Sequence, residues 1–453
     1  MGINTMHVNG LLVVLAVSQC VALRNLDVLY GWKSIDFKFP SRAARDSMLR
    51  SGVFVPGNSV PLDVDTWQVG KEVRTFITMP RLKPGTPATL ATVSSDRSLS
   101  PTEPLLAPYP DWSWHRLNEC DGLTSVFRIK VDTCGRLWVL DTGYVEILSN
   151  FRKVCPAQIV VFDLKTDKMV MRHRFPDNVI IAGSLPVTIA VDVRNTPTGC
   201  EEAFAYVADV TEYALVVFDA KNDRSWRIKS NYFYPYPPFG YFDIAGVQFD
   251  LMDGILGLAL SPERPWDGGD RHLYFHSLAS NRESWVSTAV IRNASLFEGD
   301  RNRVPRMFHV FEKPRASQAA AEDMDSNGIM FFSLLSRNSL NCWNAATPYG
   351  TENIAEVDRD DAALQFASGV KVIRNAQGQQ EVWALTCRFQ QLMQGDHDTS
   401  EVNYRVLRAP VQKLVRGTKC EPRSQQIQNP GGSGYGNQPF ILRAGDPSSS
   451  GNL

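Results

Sequence analysis

Short apolar runs rich in β-branched residues recur along this chain in ordered triplets, and that recurrence constrains the fold more than any other feature. Ile129–Asp132 precedes Leu137–Asp141 and then Val160–Leu164; Ile189–Asp192 precedes Ala205–Asp209 and then Val216–Ala220. Looser copies are Gly246–Asp250, Leu256–Leu260 and Leu273–His276; then Ala319–Asp323, Ile329–Ser333 and Asn353–Val357; then Val370–Ile373, Val382–Thr386 and Tyr404–Leu407. Each unit reads as an apolar strand, a turn, a second apolar strand and a third, with a polar outer strand to follow. A small sheet of this kind cannot bury both its faces alone, so neighbouring units must stack around an axis and complete one another's cores. The stretch from Val28 to about Ser95, with strand-like Ile35–Phe39 and Arg74–Thr78, has the length of a sixth unit. The expected fold is therefore all-β, a six-bladed β-propeller of about 65 residues per blade over Leu26–Cys420. A length of 453 residues fits such a ring, which grows without thickening its core.

The ends differ from this body. Residues 1–22 carry an apolar run from Leu11 to Val17 and small residues, Cys20 and Ala22, before a candidate cleavage point, and read as a signal peptide. The run is too short to span a membrane, where roughly 20 apolar residues are needed. The propeller domain is then expected over residues 23–423, and the Gly-, Ser-, Gln- and Asn-rich stretch 424–453 as a flexible low-complexity tail. With 47 basic and 48 acidic residues, the chain has no net field to recruit nucleic acid or an anionic membrane, and neither is an expected partner. Removal of Cys20 leaves seven of the eight cysteines, an odd number that requires at least one unpaired within the chain. The N-glycosylation sequon is Asn293–Ser295.

The run Cys120–Gly143, the Cys155-Pro156 step with Val161–Leu164, Ala205–Asp209 followed by Leu215–Asp219, Gly254–Pro262, Asn341–Asn344, Arg388–Gln390 and Glu401–Leu407 together resemble the insect yellow/major royal jelly family. The resemblance spans about Leu26–Cys420. It implies an exported six-bladed propeller whose relatives act in melanin formation as dopachrome conversion enzymes, affect cuticle pigmentation, or bind small biogenic amines. It also implies a disulfide between Cys120 and Cys155, and a bridge from Cys342 to Cys420 would tie a late loop to the end of the propeller. Cys134 and Cys200 occupy matching places in adjacent units and are either bridged or two buried thiols; Cys387 is then the odd one. Each bridge would contribute about 2–4 kcal/mol by restricting the unfolded chain.

Propeller ligands usually sit where inner strands and loops meet the axis. Arg388, Phe389, Asn341, Trp343, Asn344 and Cys387 are the expected lining, the aromatics to stack on a ring and the asparagines to bond a catechol or amine. Phe389 and Trp343 read equally well as core residues, and a thiol at Cys387 cannot replace an amide's paired donor and acceptor. For a dopachrome-type isomerisation, His115 is the expected base and Arg388 the group facing a carboxylate or enolate-like oxygen; packing between Trp112 and Trp114 is the simpler role for His115. His272 and His276 would stand about 13 Å apart in a strand, too far to share an ion. Asp132, Asp192 and Asp250 fit turn capping. Asp323/Asp325 and Asp396/Asp398 lack an EF-hand ligand pattern, so neither metal nor other cofactor is expected. The leading functional expectation is a secreted dopachrome-converting isomerase. The alternatives are a non-catalytic binder of small aromatic amines or catechols, and a structural cuticle or eggshell protein with matrix association through its tail.

Overall fold

The computed structural model describes residues 23–69, 72–93, 103–194, 199–264, 269–298, 304–395 and 397–422. The expected signal peptide at 1–22 and tail at 424–453 lie outside these, as does Asp396.

Six four-stranded antiparallel sheets follow one another around an axis. Blade 1 comprises Asp63–Val69, Glu72–Thr78, Leu90–Val93 and Leu106–Pro108. Blade 2 comprises Val126–Val131, Arg136–Asp141, Gln158–Asp163 and Lys168–Arg174. Blade 3 is Pro186–Val193, Ala203–Asp209, Ala214–Asp219 and Arg224–Lys229; blade 4 is Ile255–Leu260, His272–Ser277, Ser284–Ser287 and Phe308–Val310. Blade 5 is Glu322–Met324, Ile329–Leu334, Ser339–Asn344 and Ile354–Arg359. Blade 6 takes Ala367–Arg374, Gln380–Thr386 and Tyr404–Pro410 from the end of the chain and Asp27–Trp32 from its start. The first strand of each blade is innermost, and each contacts the first strand of the next blade, from blade 6 back to blade 1.

The period of two in each strand explains the stacking. In Ala203–Asp209, Ala203, Ala205 and Val207 join Trp138, Leu140 and Val161 of blade 2, while Phe204, Tyr206 and Ala208 join Leu258, Leu273 and Phe275 of blade 4. In Ile329–Leu334, Ile329 and Phe331 face blade 6, and Met330, Phe332 and Leu334 face blade 4. Second strands are buried on both faces, which is why they read as continuous apolar runs.

Several sequence expectations need correction. Ile35–Phe39 is not a strand and touches blade 1 only through an isolated bridge from Phe37 to Leu106. Gly246–Asp250 does not open a blade: Tyr241–Ile244 and Val247–Asp250 form a separate hairpin, and blade 4 begins at Ile255. Blade 5 has Ser339–Asn344 as its third strand, and the stretch read as third, Asn353–Val357, falls in its fourth. Asp132 does cap its turn, accepting from the Cys134 and Arg136 amides, but Asp192 is a buried partner of Arg271 and Tyr206, and Asp250 lies on the hairpin.

Disulfides join Cys120 to Cys155, Cys134 to Cys200 and Cys342 to Cys420, leaving Cys387 as a buried free thiol. The second fastens equivalent turns of blades 2 and 3; the third fastens the end of the propeller to blade 5. Among the described residues no helix is long and apolar enough to cross a membrane. Asn293 and Ser295 of the sequon are exposed.

Candidate functional site

The axis ends, on one side, in an aromatic floor. Phe242, Ile244 and Phe249 of the Tyr241–Asp250 hairpin are buried in one cluster with Val64, Phe127, Val187, Leu256, Ala320 and Phe366, which stand at or next to the beginnings of the six inner strands. Phe242 and Phe249 stack at 4.9 Å, and Phe389 contacts both Phe249 and Phe366. Arg388 holds a left-handed backbone (φ 42°) at the start of the short helix Phe389–Gln394, turning the chain so that Phe389 meets the hairpin.

Beside this floor lies a small cavity of about 80 Å³, lined by five of the six inner strands. Ile189, Ala190, Leu256, Leu258 and Val370 give it apolar walls; Arg128, Lys130, Lys371, Glu322 and Asp323 give it charge. Lys130 of blade 2 reaches Asp323 of blade 5, directly opposite in the ring, at 2.7 Å. Lys371 bonds Asp63 at 3.1 Å and the Ile129 carbonyl at 2.9 Å. Asp63 and Asp65 also accept the Ile129 and Val131 amides, so blade 1 carboxylates serve as anchors for blade 2. Gly369 admits Asp63, because a Cβ there would stand 2.8 Å from Oδ1. Burial pushes Asp65 up to about 6, against the pull of Lys130 and Lys371. Arg128, only 8 % exposed, makes no hydrogen bond or ion pair among the described residues.

Glu322 connects the cavity wall to a buried cluster between blades 4 and 5. His276 Nδ1 lies 3.1 Å from Glu283 and 3.2 Å from Glu322, and its Nε2 is 3.0 Å from the Ala319 carbonyl. Arg315 bonds Glu283 and the Ser280 carbonyl. Burial opposes the charge on His276, yet Glu322 and Glu283 hold it above the usual imidazole range, while burial and Glu283 raise Glu322. The three ligand-type side chains lie close enough to share a cation, but the Arg315 guanidinium already supplies the countercharge to Glu283, which suits an ion-pair network better than a metal centre. Gly257 is part of this arrangement, since a Cβ there would stand 2.2 Å from His276 Cε1. Gly257→Ala is therefore expected to displace the imidazole and destabilise the protein by about 1–3 kcal/mol; a denaturant titration with an unchanged midpoint would contradict this packing.

The expected site residues divide. Phe389 and Cys387 belong to the axial floor, but burial pushes the Cys387 thiol up to about 12, so it is a neutral packing group. Arg388 turns outward to pair with Glu401 and does not face the cavity. Asn341, Trp343 and Asn344 sit on the third strand of blade 5, two strands or about 10 Å outward from the innermost strand. There Trp343 packs on Tyr274, Phe311 and Tyr349, Asn341 bonds Ser339, and Asn344 caps a turn through the Ala346 amide. His115 is buried away from the axis: its Nδ1 faces the Thr89 amide, its Nε2 the Tyr109 carbonyl, and burial beside Arg81 pushes it down to about 3. Both nitrogens are committed, an arrangement unsuited to a general base at neutral pH. His272 packs at a tilt against Trp285, half-buried and apart from His276. Asp325 caps a turn and Asp323 serves Lys130 and the Val372 amide.

The residues missed from sequence are Arg128, Lys130, Glu322 and Lys371. The signal was present in Phe127–Val131, where two cations alternate with apolar residues on a strand that must be innermost.

Residues 124–420 match the family described as Major royal jelly protein. Protein yellow of Drosophila melanogaster is 37% identical over 421 residues, 91% of this chain and 74% of that protein. Protein yellow of Drosophila yakuba is 36% identical over 427 residues, 93% of this chain and 75% of that protein. Among solved structures, a luciferin-regenerating enzyme aligns with 77% of this chain and 91% of its own at 11% identity and a TM-score of 0.42. A streptogramin B lyase aligns with 85% and 97% at 10% identity and a TM-score of 0.39. Both likenesses are too distant to bear on chemistry.

Proposed function

The chain belongs to the major royal jelly protein family, and on that premise we propose that its axial cavity binds a small aromatic metabolite outside the cell, of the catechol or indole kind used in pigment formation. The observation that carries this reading is the cavity itself: apolar walls with a few convergent charges, at the centre of the ring and beside a cluster of buried aromatic side chains. Three disulfides fit an oxidising, extracellular compartment. Calorimetry with dopamine, serotonin and indole-2-carboxylate is expected to give one-to-one uptake of at least one of them; absence of heat across the set overturns the reading.

A second reading, isomerisation of dopachrome, is favoured by Glu322. The residue lines the cavity while its carboxylate, wholly buried and 3.2 Å from His276 Nδ1, is held above the usual carboxylate range by burial and Glu283. A carboxylate of raised proton affinity is the kind of group that takes a carbon-bound proton once the imidazole beside it releases it. Purified protein is then expected to bleach dopachrome faster than the spontaneous reaction, and Glu322→Gln to remove most of that rate while leaving binding in place. A correctly folded protein with no effect on dopachrome limits the function to binding.

A further inference from the structure

Among the cations of the cavity lining, Lys130 and Lys371 are each engaged by a carboxylate, and Arg128 is not. Its guanidinium has five N–H donors, is more than nine-tenths buried, and finds neither an acceptor at hydrogen-bond distance nor an ion pair among the described residues. The carboxylate that acts on it at longer range, Asp63, has one oxygen given to Lys371 and the Ile129 amide. A guanidinium so largely withdrawn from solvent, without an acceptor from the chain and facing an open cavity, gains most from an acceptor that arrives with the ligand.

We propose that Arg128 is the specificity residue of the cavity and that the ligand is an aromatic acid, its carboxylate paired side-on with the guanidinium and its ring against the Leu256, Leu258 and Ile189 walls. This rests on the reading that the cavity takes a small aromatic molecule, and it selects among such molecules. A planar carboxylate matches the two-pronged donor face of arginine. An aromatic amine would instead leave Arg128 without an acceptor and add a second cation beside it. The ligand class is therefore acidic, and decarboxylated or amine relatives of the same ring bind weakly.

The test is calorimetry with indole-2-carboxylate, its neutral isostere indole-2-carboxamide, and tryptamine, on the wild-type protein and on Arg128→Gln and Arg128→Lys. The wild type is expected to bind the acid about tenfold or more tighter than the amide or the amine. Arg128→Gln is expected to lose about ten- to hundredfold for the acid and to change amide binding by less than about threefold, with Arg128→Lys between them. The comparison of ligands on the wild type stands even if a variant folds poorly. Equal binding of acid and amide, tighter binding of the amine, or unchanged acid binding by folded Arg128→Gln overturns the inference while the cavity reading survives. No binding by any of the three compounds overturns both.

Discussion

Replacing Trp32 by alanine is expected to lower stability by about 3–5 kcal/mol, and deleting residues 23–33 to prevent recovery of folded protein. Asp27–Trp32 is the outer strand of blade 6, paired antiparallel with Tyr404–Pro410 from Asp27 opposite Arg408 to Trp32 opposite Tyr404. It closes the ring with a segment from the start of the described residues. Trp32 is 1 % exposed, is packed in the cluster that joins blades 6 and 1, and donates its indole N–H to the Pro104 carbonyl at 2.8 Å. Just before it, the Arg24, Asn25 and Leu26 amides all donate to the Asp358 carboxylate of blade 5. Without the strand, Tyr404–Pro410 becomes an unpaired edge and the blade 6 core opens to water, a template for aggregation. Thermal or urea unfolding of Trp32→Ala measures the first effect. A midpoint within experimental error of the wild type would mean that the ring is closed elsewhere.

Arg315→Met is expected to cost about 3–5 kcal/mol, because it removes one partner of a buried network and leaves the others uncompensated. Arg315 is among the largest fully buried side chains and bonds Glu283, which shares His276 with Glu322. The cost has a pH signature. Burial and Glu283 already raise Glu322 in the folded protein, Arg315 lowers it, and loss of the guanidinium therefore raises it further. A carboxyl group whose folded value lies above its unfolded value favours folding at low pH and loses that contribution as pH rises through the folded value. The deficit of Arg315→Met against wild type should therefore widen between about pH 5 and pH 8. Urea midpoints at the two ends measure it; a deficit that is constant or shrinks would show that the carboxylates are neutralised by something other than Arg315.

How much of this was legible depends on distance along the chain. The second strands, such as Ala203–Asp209 and Ile329–Leu334, carry their own evidence, since apolar residues on both faces need no partner to be recognised. The closing strand could not be read this way: its partner lies more than 370 residues away, and no local pattern marks which sheet it joins. The hairpin at Tyr241–Asp250 copies the alternation of an inner strand and differs only in what lies above it, the ends of other blades. Ser339–Asn344 was obscured by its polar alternate residues, which are buried by pairing on both edges. The site followed the same rule. Asn341, Trp343 and Asn344 were chosen by residue type, and residue type does not say how far a strand lies from the axis. His115 drew attention as a histidine among aromatics, yet its two backbone partners make it a structural cross-link. Arg128 and Glu322 were hidden by the opposite error, because charges in a β-strand are ordinarily taken for a solvated face.

The measurement that bears most directly on the account is a crystal structure of the protein soaked with indole-2-carboxylate. Density for the ring is expected on the propeller axis, between the Ile189, Leu256 and Leu258 walls, with the carboxylate within hydrogen-bond distance of Arg128. Density in the outer part of blade 5 near Trp343, or an empty axis beside ligand bound elsewhere on the surface, would contradict it.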